Sequence, residues 1–125
     1  MKLTTILFSI FYFSNVLATD HIMVQAGKNF IGNVSDGELN NLKNKRGKFR
    51  TAKVKEKVVK TISIKQGDSI IFLNKDDTDH NVFGKGFNLT QQKNIAKDKI
   101  TFKEKGKQVV RCAIHPKMKL EVNVE

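Results

Sequence analysis

The clearest pattern in the chain lies at its C-terminal end, where Leu120, Val122 and Val124 alternate with Lys119, Glu121, Asn123 and Glu125. Alternation of period two belongs to a strand with one face on a core and the other in water. The same rhythm runs through residues 21–26 (HIMVQA), 58–65 (VVKTISIK) and 99–103 (KITFK). Residues 69–74 (SIIFLN) are apolar on both parities, which predicts a strand covered on both faces. Between these runs fall turn-forming clusters at Gln66-Gly67-Asp68, 76–79, 84–86 and Lys105-Gly106-Lys107. Short strands punctuated by Gly and Asp predict an all-β chain, an antiparallel Greek-key sandwich or barrel.

Residues 32–57 break that rhythm. They are polar and basic, with Lys43, Lys45, Arg46, Lys48, Arg50, Lys53, Lys55 and Lys57 against Asp36, Glu38 and Glu56. Ser35 and Glu38 have capping-box spacing and Leu39 and Leu42 stand three apart, so a short helix can begin there, with Gly47 stopping it early. The segment reads as a solvated surface insertion, because charge runs usually face water.

The N-terminus changes the picture of where the protein works. Lys2 precedes an apolar run over residues 6–17, and Val16 and Ala18 are small enough for a signal peptidase. Cleavage after Ala18 is expected, leaving a single domain of residues 19–125. A membrane anchor is the rival reading, but a run of 12 residues is too short for the ~30 Å hydrocarbon core. The processed chain carries 22 basic and 12 acidic side chains, a net charge of +10. That balance favours acidic partners; no aromatic-plus-basic pattern points to nucleic acid, and a monomer is expected.

Cys112 is the sole cysteine, so it has no internal disulfide partner. A lone thiol in an oxidising compartment needs protection or use, and a metal thiolate supplies both. Around it stands Arg111-Cys112-Ala113-Ile114-His115-Pro116-Lys117-Met118, with Asp79-His80-Asn81-Val82 upstream. Two imidazoles, a thiolate and a thioether form a donor set suited to copper, whose electron-transfer sites use a His2Cys plane with a weak axial Met.

These residues, together with the strand 67–74 (GDSIIFLN) ending in Asn74, resemble the cupredoxins of the amicyanin and plastocyanin-like group. The resemblance spans about residues 58–125, plus a first strand with Phe30 after it. It implies a blue-copper protein that shuttles single electrons between redox partners. His80, Cys112 and His115 would be the equatorial copper ligands and Met118 the axial one, with Asn81 bracing the ligand loop through its side chain. Ile114 replaces a proline common in such loops, so its N–H is free to point at the sulfur and raise the potential; Pro116, like Asn81 and Ile114, would stand next to the ligands. Lys117 and Lys119 place cations beside the electron port, which suits redox partners with acidic docking surfaces.

Several alternatives share these residues. Zinc competes for Cys and His but rarely takes methionine in structural sites. A Cys112–His115 catalytic pair lacks an orienting third group. Copper storage or delivery uses the same ligands and differs in kinetics. A processed terminus Thr19-Asp20-His21 could also chelate Cu(II) or Ni(II) in a square plane, although folding of the first strand competes for the same backbone nitrogens. Asn33-Val34-Ser35 and Asn88-Leu89-Thr90 match glycosylation acceptors, which matter only in a eukaryotic secretory pathway. Secreted plant-type relatives usually carry a disulfide that one cysteine cannot make, so a bacterial periplasm is expected.

Overall fold

The computed structural model describes residues 17–94 and 96–125. Most of the expected leader, residues 1–16, lies outside them, while Leu17 and Ala18 are exposed and belong to no strand. The described chain forms β1 (Asp20–Ala26), β2 (Asn29–Gly32), α1 (Asp36–Asn41), α2 (Thr51–Lys55), β3 (Thr61–Ile64), β4 (Ser69–Asn74), β5 (His80–Gly84), β6 (Phe87–Gln91), β7 (Lys97–Thr101), β8 (Gly106–Cys112) and β9 (Lys119–Val124). They build two sheets, ordered β2-β1-β4-β7 and β3-β9-β8-β5-β6. The sandwich is as the alternation predicts. Two of its pairs, β1 with β4 and β3 with β9, run parallel rather than antiparallel. Parallel neighbours need long connections, and here the chain visits other strands, in the second case most of the fold, before it pairs.

The inner faces follow from side-chain parity. Leu120, Val122 and Val124 of β9 meet Val110 and Cys112 of β8, Val82 of β5, and Met23, Ile70 and Phe72 of the opposite sheet. Phe30, Phe72, Phe87 and Phe102 form a chain of ring contacts with centroids 6.1 to 6.3 Å apart. Each such pair adds about 0.5–1.5 kcal/mol beyond burial.

β1 is buried on both faces, which explains why Met23-Val24-Gln25-Ala26 barely alternates in exposure. Its outer face, with Ile31 of β2, is covered by Leu39, Leu42 and Val54 of the basic segment, forming a second hydrophobic core. The expectation of a solvated insertion with one short helix is therefore corrected: the segment holds two helices and caps a sheet. Ser35 caps α1 as predicted, its Oγ accepting from the Glu38 N–H at 3.2 Å. The helix ends at Asn41, before Gly47, which instead takes φ +79° in a turn. There Asn44 Oδ1 accepts from the N–H groups of Arg46 and Lys48. Each helix offers one or two apolar residues to the sheet, too few for a period to repeat in the sequence.

Candidate metal centre

His80 opens β5 and Cys112 closes β8, and the two strands pair antiparallel with Val82 opposite Cys112. Adjacent strand ends thus bring residues far apart in sequence to one rim of the sandwich. His80 Nδ1 lies 3.4 Å from Cys112 Sγ, and both residues are buried. The chain then returns through a tight turn in which Met118 N–H donates to His115 O at 2.9 Å and Cys112 N–H donates to Met118 O at 3.2 Å. That turn buries Met118 beneath the loop and sets the His115 ring edge-on to His80, with centroids 5.0 Å apart. The four predicted ligand residues therefore gather at one end of the main core.

The orientation of His80 is set by a residue the sequence reading treated only as part of a turn. Asp76 is fully buried, and its Oδ2 accepts from His80 Nε2 at 2.9 Å and from Lys28 N–H at 2.7 Å. Its Oδ1 accepts from Asp77 N–H at 2.9 Å. A carboxylate can only accept, so Nε2 carries the proton and the Nδ1 lone pair faces the cysteine. Burial pushes the Asp76 pKa up, but the bonds from His80, Lys28 and Asp77 outweigh it and leave the group below its ordinary value. Burial also pushes His80 down, and Asp76 and Cys112 more than reverse that shift. The only prior trace of this pair was an Asp four residues before the histidine.

The surroundings of Cys112 lower the pKa of its thiol. Burial raises its pKa, while His80 and the backbone N–H groups of Asn81, His115 and Ile114 lower it further, for a net depression. Asn81 N–H lies 3.4 Å from the sulfur, and Asn81 O accepts from Ala113 N–H at 2.9 Å. The bracing expected of the Asn81 side chain is made by its backbone. The side-chain amide turns to β6, donating to Asn88 Oδ1 at 2.7 Å.

His115 is partly exposed, and its pKa is lowered first by burial and then by the electrostatic influence of His80 and Lys28. Among the described residues its Nε2 is buried without a hydrogen-bond partner. An imidazole nitrogen withdrawn from water in this way is costly unless something binds it. On His, Cys, Asp and Glu alone, no trio among the described residues meets the spacing of a metal cluster. The donor chemistry nevertheless fits copper: a proton-fixed imidazole, a stabilised thiolate, an unpartnered imidazole and a buried thioether.

Ile114 (53% exposed) and Pro116 stand on the surface around His115. Lys28, Lys55 and Lys117 line the same depression, and Lys119 lines an adjacent one with Lys60. Lys28 and Lys55 were not anticipated at the site, because only the packing of α2 against the β1–β2 turn brings them there. At the opposite rim, Thr19 N–H donates to Asp68 Oδ1 at 2.9 Å, and His21 Nε2 meets Asp68 Oδ2 at 3.0 Å. Asp20 and His21 sit in β1, in register with Ser69 and Ile70. The structure thus gives Thr19, Asp20 and His21 strand and carboxylate partners that square-planar chelation would have to displace.

No protein-family profile and no curated protein matches the chain. Solved structures do. The amicyanin of Paracoccus versutus aligns over 90% of this chain and 87% of its own, at 21% identity and a TM-score of 0.57. A reduced Cu(I) form of an amicyanin variant aligns over 90% and 88%, at 20% identity and a TM-score of 0.55. A purple cupredoxin of Nitrosopumilus maritimus matches 52% of this chain and 77% of its own, at 22% identity and a TM-score of 0.49. The two-sheet architecture of this chain is the cupredoxin fold.

Proposed function

We propose that the chain is an exported carrier of single electrons, holding one copper ion with His80, Cys112, His115 and Met118. The observation that carries this reading is the approach of His80 Nδ1 to Cys112 Sγ, with His115 and Met118 returned to the same rim by one turn. Copper, when bound, supplies a one-electron couple. The chain's own residues do the rest. Asp76 holds the proton on His80 Nε2 so that Nδ1 is a donor, and three backbone N–H groups draw charge from the thiolate. Both effects come from rigid strand ends and main chain, which favours a site that rearranges little between oxidation states.

His115, between exposed Ile114 and Pro116, is the natural electron port. Lys28, Lys55 and Lys117 ring it with positive charge, which suits a redox partner with an acidic rim. The segment over residues 32–57 thereby gains a part in docking. The apolar leader and single cysteine support export to a bacterial periplasm.

The test is to load residues 19–125 with copper and record the visible spectrum. A strong charge-transfer band that is lost in Cys112→Ser and kept in Met118→Leu is expected. A colourless protein with stoichiometric copper would refute the reading. Rapid reversible reduction without release of the ion separates a carrier from a protein that delivers copper.

A further inference from the structure

Asp68, at the turn into β4, is 4% exposed and gathers three donors. Lys65 N–H and His21 Nε2 serve Oδ2 at 3.0 Å each. Its Oδ1 is served by the backbone nitrogen of Thr19 at 2.9 Å. Thr19 is fixed from its other side as well, its carbonyl accepting from Ser69 N–H at 3.0 Å where β1 enters register with β4. Immediately before it the chain leaves the fold: Leu17 is 84% exposed and Ala18 is exposed outside any strand. Two independent observations therefore meet at one residue. The leader pattern puts the scissile bond between Ala18 and Thr19, and the fold aims a buried carboxylate at the nitrogen that this cut would free.

We propose that Asp68 is the receptor for the α-ammonium generated at Thr19 by proteolytic processing, so that export completes an ion pair on a buried carboxylate which the precursor lacks. A signal endopeptidase adds water across the Ala18–Thr19 amide. Ala18 departs as a carboxylate, and the Thr19 nitrogen takes up protons as –NH3+. The contact at Oδ1 changes from a neutral amide bond to a charge-assisted one, the stronger class. The pair ties Thr19, the residue before β1, to the β3–β4 turn and so fastens the start of a central strand. Among the described residues the other side chain bonded to the carboxylate is that of His21, and Lys99 is engaged with Asp20 at 3.2 Å. The Asp68 carboxyl is held near pKa 2, by His21 first and then by the N–H groups of Thr19 and Lys65, so it is ionised whenever an ammonium arrives. The proposal rests on the leader reading of residues 1–18 and is independent of copper.

The experiment exports the full chain from a bacterial host and reads the first residue of the recovered protein by mass spectrometry. Thr19 is expected, and any other first residue overturns the proposal at that step. The thermal midpoint is then compared with that of a variant carrying one extra Ala between Ala18 and Thr19, which moves the ammonium out of reach. A fall of about 4–8 °C is expected for a lost interaction of this class in a domain near this size. In an Asp68→Asn background the same insertion should cost much less. No fall on insertion, or an equal fall in both backgrounds, overturns the ion pair. Should Asp68→Asn not fold, the acylation rate of the α-amine by a small N-hydroxysuccinimide ester decides: several-fold slower at Thr19 than at the inserted Ala supports the pair, and equal rates overturn it.

Discussion

Replacing Asp76 tests the geometry of the centre without touching a ligand. In Asp76→Ala, three donors lose their acceptor: Lys28 N–H, Asp77 N–H and His80 Nε2, at 2.7, 2.9 and 2.9 Å. Asp77 is exposed, so water replaces its partner at little cost. The Lys28 and His80 donors point into a fully buried position, and each orphaned donor costs about 1–3 kcal/mol. Removing the buried charge returns part of that, so a net loss of about 2–4 kcal/mol is expected. Asp76→Asn can keep its amide oxygen where Oδ2 stood, serving both buried donors, and turns its NH2 on Asp77 N–H instead. One bond and the charge assistance are lost, about 1–2 kcal/mol. Urea unfolding of the copper-free protein at neutral pH measures both, with an unchanged slope confirming that only stability moved. Imidazole nitrogen shifts in NMR should report the Nε2–H form of His80 in the parent and a mixture of forms in Asp76→Ala. Two variants of equal stability, or a His80 tautomer unmoved in Asp76→Ala, would refute the claim that this carboxylate sets the ring.

Two further outcomes follow from positions outside the proposed ligand set. Gly27 has φ +56°, and a Cβ there would stand 2.8 and 2.9 Å from the two Val54 methyls. Gly27→Ala should destabilise by about 2 kcal/mol or more, the left-handed backbone alone accounting for about 1–2; Val54→Ala in the same chain should recover part of the clash, and a neutral Gly27→Ala in urea unfolding would contradict the packing. Asp68 has its carboxyl depressed to about 2 from 3.8, first by His21 and then by backbone N–H groups. Its contribution is whole above the unfolded pKa and lost as pH falls through the folded one, so the stability gap between parent and Asp68→Asn should be flat from pH 5 to 7 and close between about pH 4 and 2. A gap that survives below pH 2 would contradict the assignment.

β9 alternates because its outer side meets water, and β4 reads as two-sided because Leu73 helps to cover the second core while Ile70 and Phe72 fill the first. β5, β6 and β8 were hidden, since His80, Asn81, Gln91 and Arg111 interrupt their apolar positions. The helices of the basic segment were hidden for the opposite reason: their burial is spread over Leu39, Leu42 and Val54, with no repeat. Within the candidate centre, the proposed ligand residues stand out by their spacing, because a compact loop presents its donors close together in sequence. Asp76, Lys28 and Lys55 were not, because each reaches the site through tertiary packing alone.

The hidden residues share a physical character, and it bears on how the centre is held. Gln91 pairs with His80 across β5 and β6; its side chain donates to Phe72 O at 3.1 Å and to Asp98 at 2.9 Å, and accepts from Gln25 Nε2 of the other sheet at 2.8 Å. Asn74, at the end of β4, donates to the carbonyls of Thr78, Gln91 and Gln92 and accepts from Asp76 N–H, so it shapes the loop that delivers His80. Buried polar groups of this kind cost stability unless satisfied; Gln25, Asn74, Asp76 and Gln91 gather on the side of His80, while Asp68 and Ser69 are the buried polar residues described at the other rim. Apolar packing alone would leave an imidazole free to rotate about its Cβ bond. A directional network anchored in both sheets fixes the ring before any ion arrives. The cost is carried by the core that β1, β4, β8 and β9 build, which is why the ligand loop itself can be as short as Ala113 to Lys117.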